Sequence, residues 1–305
     1  MTTRRVAVTG ATGFIGRNVV ALLRDRGDAV FPIARPFDTG RIAAQIAGAD
    51  AVVHLAGLVS AASESAFVEA NIEGTRIVAA AARVADVPMV YVSSLAAGGP
   101  APADAPRVET DPPAPLTAYG HSKLGGERAI RAIDGLQWTI LRPTVVYGPG
   151  DRGMFPVFRL AAHGILPHVG RTTAKYMFVH VRDLARVIDR AVDARAFGET
   201  MFVCHPRAVT TRELLDGLCE AVGRRAPIVR VPDVVLRAAA RVGDVVGTLR
   251  GKRLIIDSPR YAELSAPGFV CSVDRLRVRL GVVAEIDLTE GLAQTAAWYR
   301  AAGWL

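Results

Sequence analysis

Three glycines, Gly10, Gly13 and Gly16, stand in the stretch RRVAVTGATGFIGRNVVALLRDRG where an apolar strand pattern gives way to a helical one. Val6, Ala7 and Val8 form a short buried-strand run, whereas Ile15, Val19, Leu22 and Leu23 recur at helical spacing. The glycines therefore open a helix. A helix N-terminus presents unpaired N–H groups and a partial positive charge, and it holds phosphate when the side chains there are small enough for close approach. The spacing is G-x-x-G-x-x-G rather than the commoner G-x-G-x-x-G of dinucleotide folds. Two explanations stand side by side: tight strand–helix packing, and a cradle for a pyrophosphate.

Strand-like stretches at 6–10, 29–34, 51–56, 88–93 and 137–142 alternate with helical ones, the longest near 63–84 and another near 118–133. This alternation predicts an α/β fold: a doubly wound (Rossmann) parallel sheet covered on both faces, with its ligand crevice at the carboxyl ends of the strands. The stretch 98–117 is rich in Pro, Gly and Ala without periodicity and reads as a surface loop. After Pro149 the alternation fades into helical stretches near 181–194, 211–222, 234–249 and 288–302. The expected organisation is a dinucleotide-binding Rossmann domain over 1–148. A smaller, mainly helical C-terminal substrate lobe over 149–305 is interleaved with it.

At 305 residues and 50% hydrophobic composition, the chain is long enough for a large core. No leader precedes Val6 and no apolar run reaches the roughly 18 residues of a membrane span, so a soluble, cytoplasmic protein with no integral membrane segment is expected. Cys204, Cys219 and Cys271 lack C-x-x-C spacing, which points to buried thiols and no metal site. The net charge of +8 is spread over helical arginines without an interleaved aromatic platform, which argues against nucleic acid. A positive field instead attracts an anionic cofactor.

The second strand ends IARP, and an arginine at that position accommodates the 2′-phosphate of NADP where an acidic residue would take the ribose of NAD. Arg35 thus favours NADP(H), with NAD(H) as the other possibility. Further on, TAYGHSKLGGER places Tyr119 and Lys123 four apart on one helix face. A neighbouring ammonium lowers a tyrosine's pKa towards the range useful for proton transfer. Only three lysines occur against 34 arginines, which makes Lys123 notable. Ser93 and Ser94 follow the fourth strand, and side-chain alternation turns one of them into the crevice.

In this order TGATGFIG, HLAG, N-x-x-G-T, VSS, Y-x-x-x-K and LRPTVVYGP resemble the extended short-chain dehydrogenase/reductase superfamily, over nearly the whole chain. The resemblance implies Tyr119 as general acid/base, Lys123 on the nicotinamide ribose, and Ser94 rather than Ser93 bonded to the substrate oxygen. It places Gly10, Gly13, Phe14, Ile15 and Gly16 at the pyrophosphate and Leu55, Ala56 and Gly57 beside the adenosine. Pro143 and Val145 come near the nicotinamide, and Asn71 takes a structural role. The family's third strand and its aspartate are compressed here into RPFDTGRIAA, where Asp38 is the nearest match to the adenine contact.

The reaction expected is hydride transfer between a nicotinamide cofactor and a secondary alcohol or ketone carbon of a small molecule. Within the superfamily the division is between nucleotide-sugar epimerases or dehydratases with bound NAD and reductases resembling dihydroflavonol reductase or 3β-hydroxysteroid dehydrogenase. Sugar-nucleotide members carry arginines in R-D-[FYW] and R-x-G-D motifs, where this chain reads AKYMFVHVRD and AELSAPGFVCS. An uncharged late segment pairs poorly with a diphosphate, so an apolar ketone and an NADPH-dependent reductase are preferred, with the epimerase as alternative. A non-catalytic dinucleotide sensor is a third reading, opposed by the intact Ser94, Tyr119 and Lys123. The stretch VPDVVLRAAARVGDVVGTLRGKR mixes apolar residues with Arg237, Arg241, Arg250 and Arg253, as a lid helix or one that touches a membrane. The long helices near 63–84 and 118–133 offer a homodimer surface.

Overall fold

The computed structural model describes residues 3–61, 63–250 and 256–305; Lys252 and Arg253 of the basic stretch lie outside these. The first half runs β1 (Arg5–Thr9), α1 (Phe14–Asp25), β2 (Ala29–Ile33), α2 (Thr39–Ile46), β3 (Ala51–His54), α3 (Glu64–Phe67), α4 (Gly74–Val84), β4 (Met89–Val92), α5 (Leu95–Gly98), α6 (Ala118–Arg131) and β5 (Trp138–Pro143). The second half runs β6 (Val145–Tyr147), α7 (Phe155–His163), β7 (Leu166–His168), β8 (Lys175–Tyr176), β9 (Phe178–His180), α8 (Val181–Ala194), β10 (Glu199–Val203), β11 (Val209–Thr210), α9 (Thr211–Val222), β12 (Ile228–Arg230), α10 (Asp233–Arg250), α11 (Ser258–Ser265), β13 (Gly268–Phe269), α12 (Asp274–Leu280) and α13 (Leu288–Ala301).

Six strands pair in parallel in the order β10-β5-β4-β3-β1-β2. The direction of winding reverses between β1 and β3, which opens the crevice beyond the carboxyl end of β1. Both faces of the sheet are buried because successive strand residues point to opposite sides. Val6, Val8, Val53, Val90 and Val92 join one core with Val19 and Leu23 of α1 and Leu184, Val187 and Ile188 of α8. Ala7, Val52, Met89, Tyr91 and Ile140 join the other with Ile42, Val78, Ala82 and Ile130. Fully burying a valine or leucine contributes about 1.5–3 kcal/mol, so Val19 and Leu23 alone fix α1 firmly behind the glycine turn.

The structure departs from the sequence reading in three places. The long helical stretch is broken by a π-helical segment, Val68–Glu73, between α3 and α4. A strand that the sequence reading does not name, β10, pairs with β5 as the sixth strand of the main sheet. The stretch 98–117 is tied by backbone bridges, Ala101 to Phe269 and Arg107 to Cys271, so this loop joins the sheet half to the lobe. The lobe itself contributes small paired strands: β8 with β11 and β13, β7 with β12, and β6 with β9.

Candidate functional site

The turn after β1 is shaped by backbone proximity. Gly10 has φ +68°, and a Cβ there would lie 2.8 Å from the Ala56 amide nitrogen. At Gly16 a Cβ would lie 2.1 Å from the Gly10 carbonyl oxygen, so α1 starts pressed against the turn itself. Gly13 is the N-cap of α1 and supplies no side chain to cap the first N–H groups. Those donors, with the positive end of the helix dipole and no Cβ in the way, fit a dinucleotide pyrophosphate. Phe14 and Ile15 form the first helical turn.

Leu55, Ala56 and Gly57 follow β3 and are locked from beneath. The amides of Leu55 and Ala56 donate to Thr9 Oγ1 at 3.2 and 3.1 Å, and Thr9 Oγ1 lies 2.6 Å from His54 Nδ1. Thr75 Oγ1 donates to the Asn71 carbonyl at 2.8 Å, so its hydrogen is spent and it accepts from His54 Nε2 at 3.1 Å. His54 therefore carries its proton on Nε2 and accepts from Thr9 on Nδ1. Burial, then the Lys123 and Arg35 charges, push its pKa down to about 3, so it stays neutral. Sequence reading missed this histidine although HLAG contains it.

Asn71 holds Leu58 from both sides, accepting from its amide at 2.7 Å and donating to its carbonyl at 2.9 Å, and also donates to Ser122 at 2.9 Å. It is a clamp between the turn after β3 and α6. Asp38 caps α2, accepting from the Arg41 amide at 2.8 Å, where the compressed third strand was expected. Arg35 follows β2; its guanidinium lies 5.4 Å over the Phe37 ring and reaches the Ala70 carbonyl at 3.4 Å. Pro143 ends β5, and Val145 is 45% exposed at the start of β6.

The two serines part company as the alternation requires. Ser93 is buried and donates to Glu127 at 2.6 Å. Ser94 caps α5, accepting from the Ala96 amide at 3.1 Å, and faces the Tyr119 phenol. Burial raises the Tyr119 pKa, the Ser94 hydroxyl opposes that rise, and the Glu263 carboxylate on α11 adds to it. Thus α5 and α6 meet at Tyr119, and the charge of Glu263 on α11 reaches it.

Lys123, four residues along α6, turns its Nζ to the Val92 carbonyl at 2.7 Å and lies 4.3 Å over the Tyr91 ring. The sequence reading expects this ammonium to lower the Tyr119 pKa. Burial instead lowers Lys123 itself to about 7, with Glu127 opposing the shift. A folded-state pKa below the unfolded value of about 10.4 means the unfolded chain binds more protons, so stability rises with pH through this window. Between pH 7 and 9 the unfolding free energy is expected to climb by up to about 1.4 kcal/mol per pH unit. Lys123→Met should lose that climb; urea unfolding at several pH values that shows equal slopes for both proteins would refute the buried-lysine account.

A buried ionic cluster supports the helix and was not read from the sequence. Glu127, fully enclosed, accepts from Arg142 Nε at 2.8 Å and Nη2 at 2.7 Å, from Ser93, and from Arg131 at 3.1 Å. The Arg142 guanidinium and Ser93 hydroxyl hold the Glu127 carboxyl below its usual range despite its burial. The i, i+4 pair Glu127 and Arg131 looks from sequence like a solvated helix face. Arg142 from β5 and Ser93 after β4 make it an interior group.

Residues 6–204 match the family described as the NAD dependent epimerase/dehydratase family. A ceramide reductase of Caulobacter vibrioides is 32% identical over 98% of this chain and 96% of the relative. Among solved structures, MoeE5 in complex with UDP-glucose and NAD is 24% identical with a TM-score of 0.77, covering 98% of this chain and 99% of that one. UDP-glucuronic acid 4-epimerase from Bacillus cereus in complex with NAD is 18% identical with a TM-score of 0.78, covering 99% and 100%. Both structural likenesses are likenesses of fold. They correct the NADP(H) preference drawn from Arg35: NAD is the dinucleotide in both structures, and here the guanidinium lies over Phe37 and reaches a backbone carbonyl.

Proposed function

The chain belongs to the NAD-dependent epimerase/dehydratase family, within the extended short-chain dehydrogenases/reductases, and is an NAD(P)-binding oxidoreductase of the hydride-transfer class; from that premise we propose that it reduces a lipid-like ketone with NAD(H). The nicotinamide supplies the reducing equivalent when bound. Gly10, Gly13, Phe14, Ile15 and Gly16 would hold its pyrophosphate and Leu55, Ala56 and Gly57 its adenosine, while Pro143 and Val145 would border the nicotinamide.

Tyr119 gives a proton to the substrate oxygen as the carbonyl becomes an alcohol, and takes it back in the reverse direction. Ser94 donates to the same oxygen as negative charge develops there. Lys123 anchors the ribose hydroxyls and, once its ammonium leaves the Val92 carbonyl for them, lowers the Tyr119 pKa. Within a low-dielectric cleft these donors need little reorganisation during the reaction.

The observation that carries the substrate class is the charge of the lobe at Tyr119. The Glu263 carboxylate, which acts on Tyr119, is paired with Arg260 at 3.1 Å, and both charges act on Tyr176, which stacks with Phe269 at 6.4 Å. An arginine already paired with a carboxylate beside aromatic rings suits an uncharged, apolar substrate better than a diphosphate. The ceramide reductase at 32% identity supports the same class. The UDP-glucose held beside NAD in MoeE5 favours the second reading, a nucleotide-sugar epimerase.

A series of methyl ketones of increasing chain length, dispersed in detergent and assayed for NADH oxidation, separates the two. Rates that climb with chain length are expected, since each added buried CH₂ contributes about 0.8 kcal/mol and thus up to roughly fourfold. Flat rates across the series, with UDP-glucose converted at constant NADH, would replace the ketone reading by the epimerase one.

A further inference from the structure

The lobe presents an apolar stripe to solvent along α10. Val234, Val235, Val242, Val245 and Leu249 are each more than half exposed, at 73, 52, 61, 62 and 81%. With Ala238 they fall within about 100° of the helix circumference at 3.6 residues per turn. The opposite side is the one that packs inward: Leu236 and Ala240 are buried, and a Cβ on Gly243 would meet the Ile256 carbonyl at 1.9 Å. The helix thus has two apolar faces, one spent on the protein and one unpartnered among the described residues.

Charge settles what would cover it. From Arg224 to Arg253 the sequence carries eight basic and two acidic side chains, and so six of the eight net positive charges of the whole chain. Arg237 and Arg241 are exposed and border the stripe on one flank. A hydrophobic stripe edged by arginines, on a helix lying along the surface, matches an anionic lipid interface, where the apolar face enters the acyl boundary and the cations meet headgroups. A second copy of the chain would bring the same positive charge against itself.

Position ties this face to the catalytic cleft. Arg237 donates to the Tyr261 hydroxyl at 3.1 Å, which joins α10 to α11, and α11 carries the Glu263 that acts on Tyr119. We propose that α10 docks the lobe onto an anionic bilayer surface, so that a membrane-resident ketone reaches Tyr119 from beneath α11. This rests, for what the membrane delivers, on the lipid-like ketone reading. No helix among the described residues is long and apolar enough to cross a membrane, so the contact is peripheral.

The full chain is mixed with vesicles of phosphatidylcholine alone or with a third phosphatidylglycerol, and the bound fraction is measured by sedimentation at low and high salt. Binding to the anionic vesicles is expected, at least tenfold weaker in high salt and on pure phosphatidylcholine. The combined variant Val242→Ser, Val245→Ser, Leu249→Ser should lose at least tenfold in partitioning, and Arg241→Gln should lose part of the anionic preference. Both should keep the parent's affinity for NADH, which verifies the fold. Absence of vesicle binding, equal binding by the apolar-face variant, or a dimer dissolved by the same substitutions would each overturn the proposal. Vesicle binding without turnover of any long-chain ketone would uphold the docking and remove the ketone reading, so the two fail separately.

Discussion

Tyr119→Phe lowers kcat by about 10²- to 10⁴-fold on this account, the range over which a positioned general acid contributes. The phenyl ring keeps the shape that packs 6.2 Å from the Phe67 ring, so the loss falls on proton transfer and not on the fold. The substrate oxygen would then have to take its proton from water while Ser94 alone steadied the charge. NADH affinity, measured by fluorescence titration, should stay close to the parent's, and the pH dependence of kcat should lose its alkaline limb. A Phe variant within threefold of the parent rate would remove Tyr119 from the acid role and shift attention to Lys123, whose burial-lowered pKa of about 7 also lies near the operating range.

Glu127→Ala should cost about 3–5 kcal/mol of unfolding free energy, the penalty for leaving one partner of a buried ion pair uncompensated. Arg142 is 4% exposed on its side chain and donates two hydrogen bonds to Glu127, so the substitution leaves a buried guanidinium without that carboxylate. Ser93 loses its acceptor as well. The midpoint in urea should fall without a change in slope, since the same surface is exposed on unfolding. Glu127→Leu combined with Arg142→Met should recover much of the loss, because exchanging a whole buried pair for apolar residues of similar volume is often neutral. A single Glu127→Ala variant that loses less than about 1 kcal/mol, the scale of an exposed pair, would show that water reaches the cluster.

Much of this organisation was legible in the sequence where local pattern and long-range contact agree. The glycine turn is such a place: the residues that permit close approach are those whose spacing marks the strand–helix junction. Strands β1 to β5 were readable because parallel strands buried on both faces are runs of apolar residues. Strand β10 was hidden, since GETMFV is short and follows a stretch without alternation, and only its pairing with β5 reveals it. The π-helical segment Val68–Glu73 leaves no mark in a helical pattern.

Tyr119 and Lys123, four residues apart, could be placed on one helix from sequence. Residues whose role depends on partners far along the chain could not be named from it. Glu127 meets Ser93 and Arg142 only through the sheet, and His54 meets Thr9 and Thr75 across two strands and a helix. Arg35 illustrates the reverse error: its position after β2 suggested a phosphate receptor, while its guanidinium lies over Phe37 and reaches the Ala70 carbonyl.

The most direct test follows the label. NADH deuterated at the transferring position is incubated with the protein and a long-chain ketone in anionic vesicles, and the product is analysed by mass spectrometry. One deuterium is expected on the new carbinol carbon, with incorporation falling with kcat in Tyr119→Phe. Alcohol without deuterium, or no alcohol while UDP-glucose is epimerised with the cofactor unchanged, would contradict it.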